Sequence, residues 1–131
     1  LGYRTSIFKT KPWIIVSAKI KLKKGDKEDL IDLLSDRMRR RSSTQPLNYP
    51  SAGSVFRNPV GDYAGHLIEE CGLKGKTKGD ACISEKHANF IVNKDEATSS
   101  DIKYLMDLAR KEVKKKYNID LIVEQELFNW E

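Results

Sequence analysis

Residues 45–61 read QPLNYPSAGSVFRNPVG, and these seventeen positions hold three of the chain's four prolines and two of its eight glycines. Proline lacks an amide hydrogen and its ring fixes φ, so neither a helix nor a central strand runs through such a stretch. The segment therefore reads as the chain's long loop, with regular elements assembled on either side. Long loops inside compact domains are functional or disordered. Tyr49, Val55 and Phe56 are residue types that seek burial, so order is expected here.

Before the loop, residues 3–8 suggest a short strand. Residues 13–24 alternate Ile14, Val16, Ala18, Ile20 and Leu22 with Lys19, Lys21 and Lys23, the period of a strand with one buried face. Asp26 is placed to cap a helix whose apolar positions Leu30, Leu33, Leu34 and Met38 follow three-four spacing. Beyond the loop, Asp62 can cap a short helix that presents Ala64, Leu67, Ile68 and Cys71 and ends at a left-handed Gly72. Residues 74–80 read as a polar turn, and residues 81–84 and 88–93 as strands. Thr98 or Ser99 caps a long helix to about Tyr117, with Ile102, Leu105, Ala109 and Val113 buried. Residues 119–128 read as a last strand. Helices of uneven length between strands, with no glycine-rich phosphate loop, predict an α+β fold: a small mixed or antiparallel sheet packed with about three helices.

With 131 residues, 39% of them hydrophobic, the chain has the material for one domain and its core. Lys and Arg exceed Asp and Glu by 24 to 19. The cations are dispersed over one strand and two helix ends, where a wet sheet face and the helix macrodipole account for them, so no nucleic-acid partner is expected. No apolar run reaches the length of a membrane span and no signal-peptide pattern is visible, so neither a membrane partner nor export is expected, and the expected location is cytoplasmic. Cys71 and Cys82 are too few for a disulfide framework or a zinc cage, and His66 and His87 lack metal-site spacing; no metal is expected.

Three places could carry chemistry. In SAGSVFRNP, Ala52 and Gly53 permit close backbone approach beside Ser54, and Asn58 offers an amide to an oxyanion or a sugar hydroxyl. Phe56 stands where a nucleophile elbow needs its second glycine, which excludes a serine hydrolase; by physics alone Ser54 is first a turn-former. In SEKHAN, His87 can titrate near neutrality, meet an anionic ligand or satisfy a turn. On the last segment Glu124 and Glu126 are edge charges or ion-pair partners, unless burial beside a site raises a pKa and makes a proton donor. Arg4 reads as a surface residue.

Taken together, YRTSIFK, QPLNYPSAGSVFRNP, AGHLIEECGLKG, SEKHANFIVN and VEQELF, in this order and spacing, resemble the C-terminal part of the UDP-N-acetylenolpyruvoylglucosamine reductase (UDP-N-acetylmuramate dehydrogenase) family, in its shorter type. The resemblance covers nearly the whole chain. It implies a flavoenzyme of peptidoglycan synthesis in which FAD, reduced by NADPH, gives hydride to C3 of the enolpyruvyl group of UDP-N-acetylglucosamine enolpyruvate. It implies a division into residues 1–24, the end of the flavin-domain region with the first strand, and residues 25–131, the substrate-binding domain. The family's proton-donating serine maps onto Ser54, its arginine onto Arg4 and its glutamate onto Glu124, with Glu126 as the alternative. Asn58, His87 and Gln45 map onto substrate contacts.

Thr5 replaces the family's usual Asp and Glu126 its usual basic residue. The family's FAD lies on an N-terminal domain of which this chain would carry only the end, so no cofactor is expected on the chain alone, and it should be inactive by itself. The alternative is a non-catalytic module that binds UDP-sugars or other phosphorylated ligands.

Overall fold

A computed structural model describes residue 2 and residues 4–128. The chain forms two units, Leu1–Leu33 and Leu34–Glu131. In the first, Gly2 and Thr5 exchange backbone hydrogen bonds around Arg4, whose φ is +56°. A single 3-10 turn follows at Ile7–Lys9 in place of the expected short strand, and Phe8 meets Trp13 edge-on with ring centres 6.3 Å apart.

The strand expected over residues 13–24 is not formed. No regular element occupies this stretch, and Ile14, Val16, Ile20 and Leu22 are 75–93% exposed. Alternation specifies which face of a strand would be buried but supplies no neighbour to pair with, and an unpaired strand leaves every backbone group to water.

The helix that follows, α1 (Lys27–Thr44), starts where expected: Asp26 Oδ1 accepts from the amides of Glu28 and Asp29 at 2.8 and 3.2 Å. It runs on through the arginines to Thr44, and none of its residues is buried. The stripe of Leu30, Leu33, Leu34 and Met38 thus lies open along the helix.

The second unit is built on a four-stranded antiparallel sheet in the order β1 (Ser51–Ser54), β4 (Phe90–Asn93), β3 (Ala81–Ile83), β2 (Thr77–Lys78). The proline-rich loop is ordered as expected, yet it contributes an edge strand, which corrects the reading of it as wholly irregular. Pro50 permits this because an edge position needs only its carbonyl, which accepts from the Asn93 amide at 2.9 Å. β2 likewise lies inside what reads as a polar turn.

Side chains alternate across the sheet. Ala81 and Ile83 on β3 and Ile91 on β4 join the core with Leu105, Met106, Ala109 and Val113 of α3 (Ser99–Tyr117) and Leu67 and Ile68 of α2 (Ala64–Glu70). Ile102, expected in that stripe, is only partly buried.

Thr98 closes a capping box with Asp101 at the start of α3, and left-handed Asn118 ends it. Gly72, at φ +69°, ends α2 as the sequence predicts. The start of α2 differs from expectation: Ala64 N–H donates to Asn58 Oδ1 at 3.1 Å, while Asp62 accepts from its neighbour Tyr63 and sits 3.0 Å from His66 Nδ1. The last strand is also reduced. Only Phe56 and Val123 form a bridge, flanked by Arg57 N–H to Ile122 O and Glu124 N–H to Val55 O. Pro59, without a donor, stops the pairing from extending. Among the described residues no helix is long and apolar enough to cross a membrane.

Candidate functional site

The site is assembled where β1 runs out into Val55–Phe56. Asn89, buried to 4%, clamps this point from β4's side: its Oδ1 accepts from Phe56 N–H at 2.9 Å and its Nδ2 donates to Phe56 O at 2.8 Å. Val55 N–H adds a bond to the Asn89 carbonyl. Ser54, one residue earlier, is thereby held against the loop that carries His87. That loop is folded on itself: buried Ser84 accepts through Oγ from the amides of Lys86 and His87, and Phe90 N–H returns to the His87 carbonyl.

His87 is packed rather than displayed. Its ring lies 5.0 Å from that of Phe90, and its Nδ1 accepts from Asn89 N–H at 3.2 Å, which leaves Nε2 as the protonated nitrogen. Burial pushes its pKa below the ordinary histidine value, with nearby Lys74 adding to the shift, so the neutral ring is the form held at pH 7.

The opposite wall is α2. Gly65 leaves room for the histidine, since a Cβ there would stand 3.0 Å from His87 Cε1. Asn58, by capping α2, fixes its own amide at the same edge.

These residues enclose an open cleft of about 520 Å³ lined by Ser54, Asn58, Gly65, His87 and Asn89 together with the end of α1 at Ser43 and Thr44. Two ammonium groups border it. Lys86 Nζ donates to Ser42 O at 2.5 Å, and Lys74 pairs with Glu69 at 2.6 Å. Gly53, at φ +82°, has nothing within 4 Å of where a Cβ would be, so the backbone beside Ser54 is open to close approach. The arrangement suits a polar ligand carrying hydroxyls and negative charge.

Three of the residues singled out in sequence, Ser54, Asn58 and His87, are brought together here. Glu124 is placed next to them in backbone terms, since its N–H bonds the carbonyl of Val55, whereas Glu126 lies beyond the paired positions. Gln45 is not in the cleft lining; its Oε1 accepts from Arg41 Nε at 3.2 Å. Arg4 belongs to the other unit. The roles of Gly65, Asn89, Ser84 and Lys86 were not visible in sequence. Asn89 and Ser84 stand in the stretch SEKHAN that drew attention for its histidine, but a clamp across thirty-odd residues leaves no local signal.

The model of the C-terminal domain of UDP-N-acetylenolpyruvoylglucosamine reductase matches residues 45–128, which hold all of the cleft's lining except Ser43 and Thr44. The chain is 49% identical over 97% of its length to the UDP-N-acetylenolpyruvoylglucosamine reductase of Fervidobacterium nodosum, covering 42% of that protein. It is 44% identical over 95% of its length to that of Clostridium kluyveri, covering 41%. It thus spans about two fifths of the length of these relatives. Among solved structures, the UDP-N-acetylenolpyruvylglucosamine reductase of Thermus caldophilus superposes with a TM-score of 0.67 at 40% identity, over 81% of this chain and 37% of that one. The matched stretch takes in β1, the histidine loop and α2, and by it the chain belongs to the UDP-N-acetylenolpyruvoylglucosamine reductase family, as its C-terminal domain.

Proposed function

We propose that this chain is the substrate-binding and proton-donating part of a reductase that converts UDP-N-acetylglucosamine enolpyruvate to UDP-N-acetylmuramate for peptidoglycan. The observation that carries the reading is the convergence of Ser54, Asn58 and His87 on one cleft beside an open glycine. The chain covers 42% of the length of the Fervidobacterium nodosum relative and 41% of that from Clostridium kluyveri, and the resemblance puts the family's flavin on an N-terminal domain. FAD, NADPH and the hydride are therefore assigned to a partner domain that this chain does not include, with residues 1–24 as the end of that domain's region and residues 25–131 as the substrate domain.

What the chain's own residues do follows from their chemistry. Once hydride has reached C3 of the enolpyruvyl group, negative charge spreads over C2 and its carboxylate, and C2 needs a proton. Ser54 Oγ supplies it. A hydroxyl, being a very weak acid, protonates only a strongly basic carbon, so the groups that stabilise the enolate must not neutralise it fully. Arg4 balances the developing charge, and Glu124, adjacent through its backbone pairing with Val55, stabilises it by donating from a protonated carboxyl. Asn58 and neutral His87 orient the sugar, with Gln45 at the α1 edge.

Ser54→Ala tests this in a two-domain protein made by joining the chain to a family flavin domain. Oxidation of NADPH by the flavin is expected to persist while turnover of the enolpyruvyl sugar falls by orders of magnitude. Equal turnover by the variant would refute the proton-donor role. Glu124→Gln should be similarly costly, and a large loss in Glu126→Gln alone would move the carboxylate's role two residues along.

A further inference from the structure

The cleft is lined by a second histidine, one to which the resemblance gives no part. His66 stands on α2 next to Gly65, and Asp62, four residues before it, holds its ring. Asp62 Oδ1 lies 3.0 Å from His66 Nδ1 and also accepts from Tyr63 N–H at 2.6 Å. The Tyr63 amide first, and the His66 ring after it, keep the Asp62 carboxyl below the ordinary aspartate pKa, so it is ionised and can only accept. The proton of a neutral His66 ring is therefore on Nδ1, and Nε2 carries a lone pair. His66 keeps 59% of its side chain open, and Nε2 has no hydrogen-bond partner among the described residues. His87 is the reverse case, since its Nδ1 accepts from Asn89 N–H and its Nε2 is the donor. One cleft thus has two imidazoles of opposite sense on its two walls.

We propose that His66 is a specificity residue of the cleft, its Nε2 accepting from the acetamido N–H of the sugar, and that Asp62 is its positioning residue. The inference rests on the function proposed above. The charges around His66 decide what kind of group it takes. Asp62 is ionised beside the ring, and Glu69, one turn further along α2, also lines the cleft and is paired with Lys74. An anion at His66 would meet the Asp62 charge, which leaves Nε2 to a neutral donor. Hydroxyls donate and accept alike, so either imidazole can hold one. An amide N–H only donates, so of the two imidazoles it can pair with His66 alone. A tautomer fixed by Asp62 thereby separates a sugar with an acetamido group from one with a hydroxyl in its place. Without Asp62 the ring proton is free to sit on Nε2, where it would confront the amide N–H, donor against donor.

The test titrates the purified chain at pH 8, above the ordinary histidine range, with a sugar phosphate, N-acetylglucosamine 1-phosphate, and separately with glucose 1-phosphate, following backbone amides and imidazole nitrogens by NMR. The free chain is expected to show His66 protonated on Nδ1 and His87 on Nε2, and N-acetylglucosamine 1-phosphate to move the His66 Nε2 signal. Wild type should prefer it over glucose 1-phosphate about tenfold, and His66→Ala should erase that preference while binding glucose 1-phosphate as before. Asp62→Ala should lose the Nδ1 proton signature and the preference together. Asp62→Asn, whose amide oxygen still accepts from Nδ1, should keep both. A wild-type His66 protonated on Nε2, a preference unchanged in His66→Ala, an equal loss for both sugars, or no binding of either would each overturn the inference. Shifts at Ser54, Asn58 and His87 with UDP-N-acetylglucosamine enolpyruvate would keep the proposed function standing in that event, and their absence would remove it as well.

Discussion

Asn89 shows how much one side chain can decide. It satisfies both backbone groups of Phe56, a residue 2% exposed, and truncating it strands a donor and an acceptor where water does not reach. Asn89→Ala should cost about 2–4 kcal/mol in denaturant unfolding. Asn89→Asp should recover little, because a carboxylate can accept from Phe56 N–H but cannot donate to its carbonyl. His87 makes a pH prediction. Its folded pKa lies below the unfolded value near 6.5, so the unfolded chain takes up its proton first on acidification. Its contribution to stability is therefore complete above pH 6.5 and is lost as pH falls through the lowered folded value. The unfolding midpoint of wild type should drop over that window relative to His87→Ala, whose profile lacks this step.

At the scale of elements, the sharpest case is α2 against the histidine loop. Gly65→Ala gains helix propensity of about 1 kcal/mol but places a Cβ 3.0 Å from the His87 ring. Net stability should change by no more than about 1 kcal/mol while the His87 ring resonances move and the sugar phosphate binds more weakly. For α3, Thr98→Ala removes the capping box and should cost about 1 kcal/mol, read from the thermal midpoint. These elements also show what could be read in advance. Asp26 and Gly72 were legible as ends, and Thr98 as one of two candidates with Ser99, because a cap acts on backbone groups within a few residues of itself. β1 was not, because an edge strand beginning just after Pro50 is permitted only by a partner roughly forty residues away. Ser54, Asn58 and His87 could be named through their resemblance to a family's motifs. Gly65 could not, since a glycine that makes room for a ring reads the same as one that frees the backbone.

In the whole molecule, the apolar alternation of residues 13–24 and the leucine stripe of α1 lie open, whereas the Leu34–Glu131 unit holds the entire described core. Protection should follow that division. In hydrogen-exchange measurements, amides of residues 13–24 should exchange orders of magnitude faster than those of β3 and β4. The strand order carries a further consequence. β1, first of the sheet in sequence, pairs only with β4, the last, so the cleft cannot exist until the longest loop in the sheet has closed. Contacts of such separation are the slow ones to form. The β2–β3–β4 meander can be in place while the serine is still absent from its histidine, and a ligand that bridges the two would act as a latch on the final closing step, holding the cleft shut once the rest of the sheet has formed.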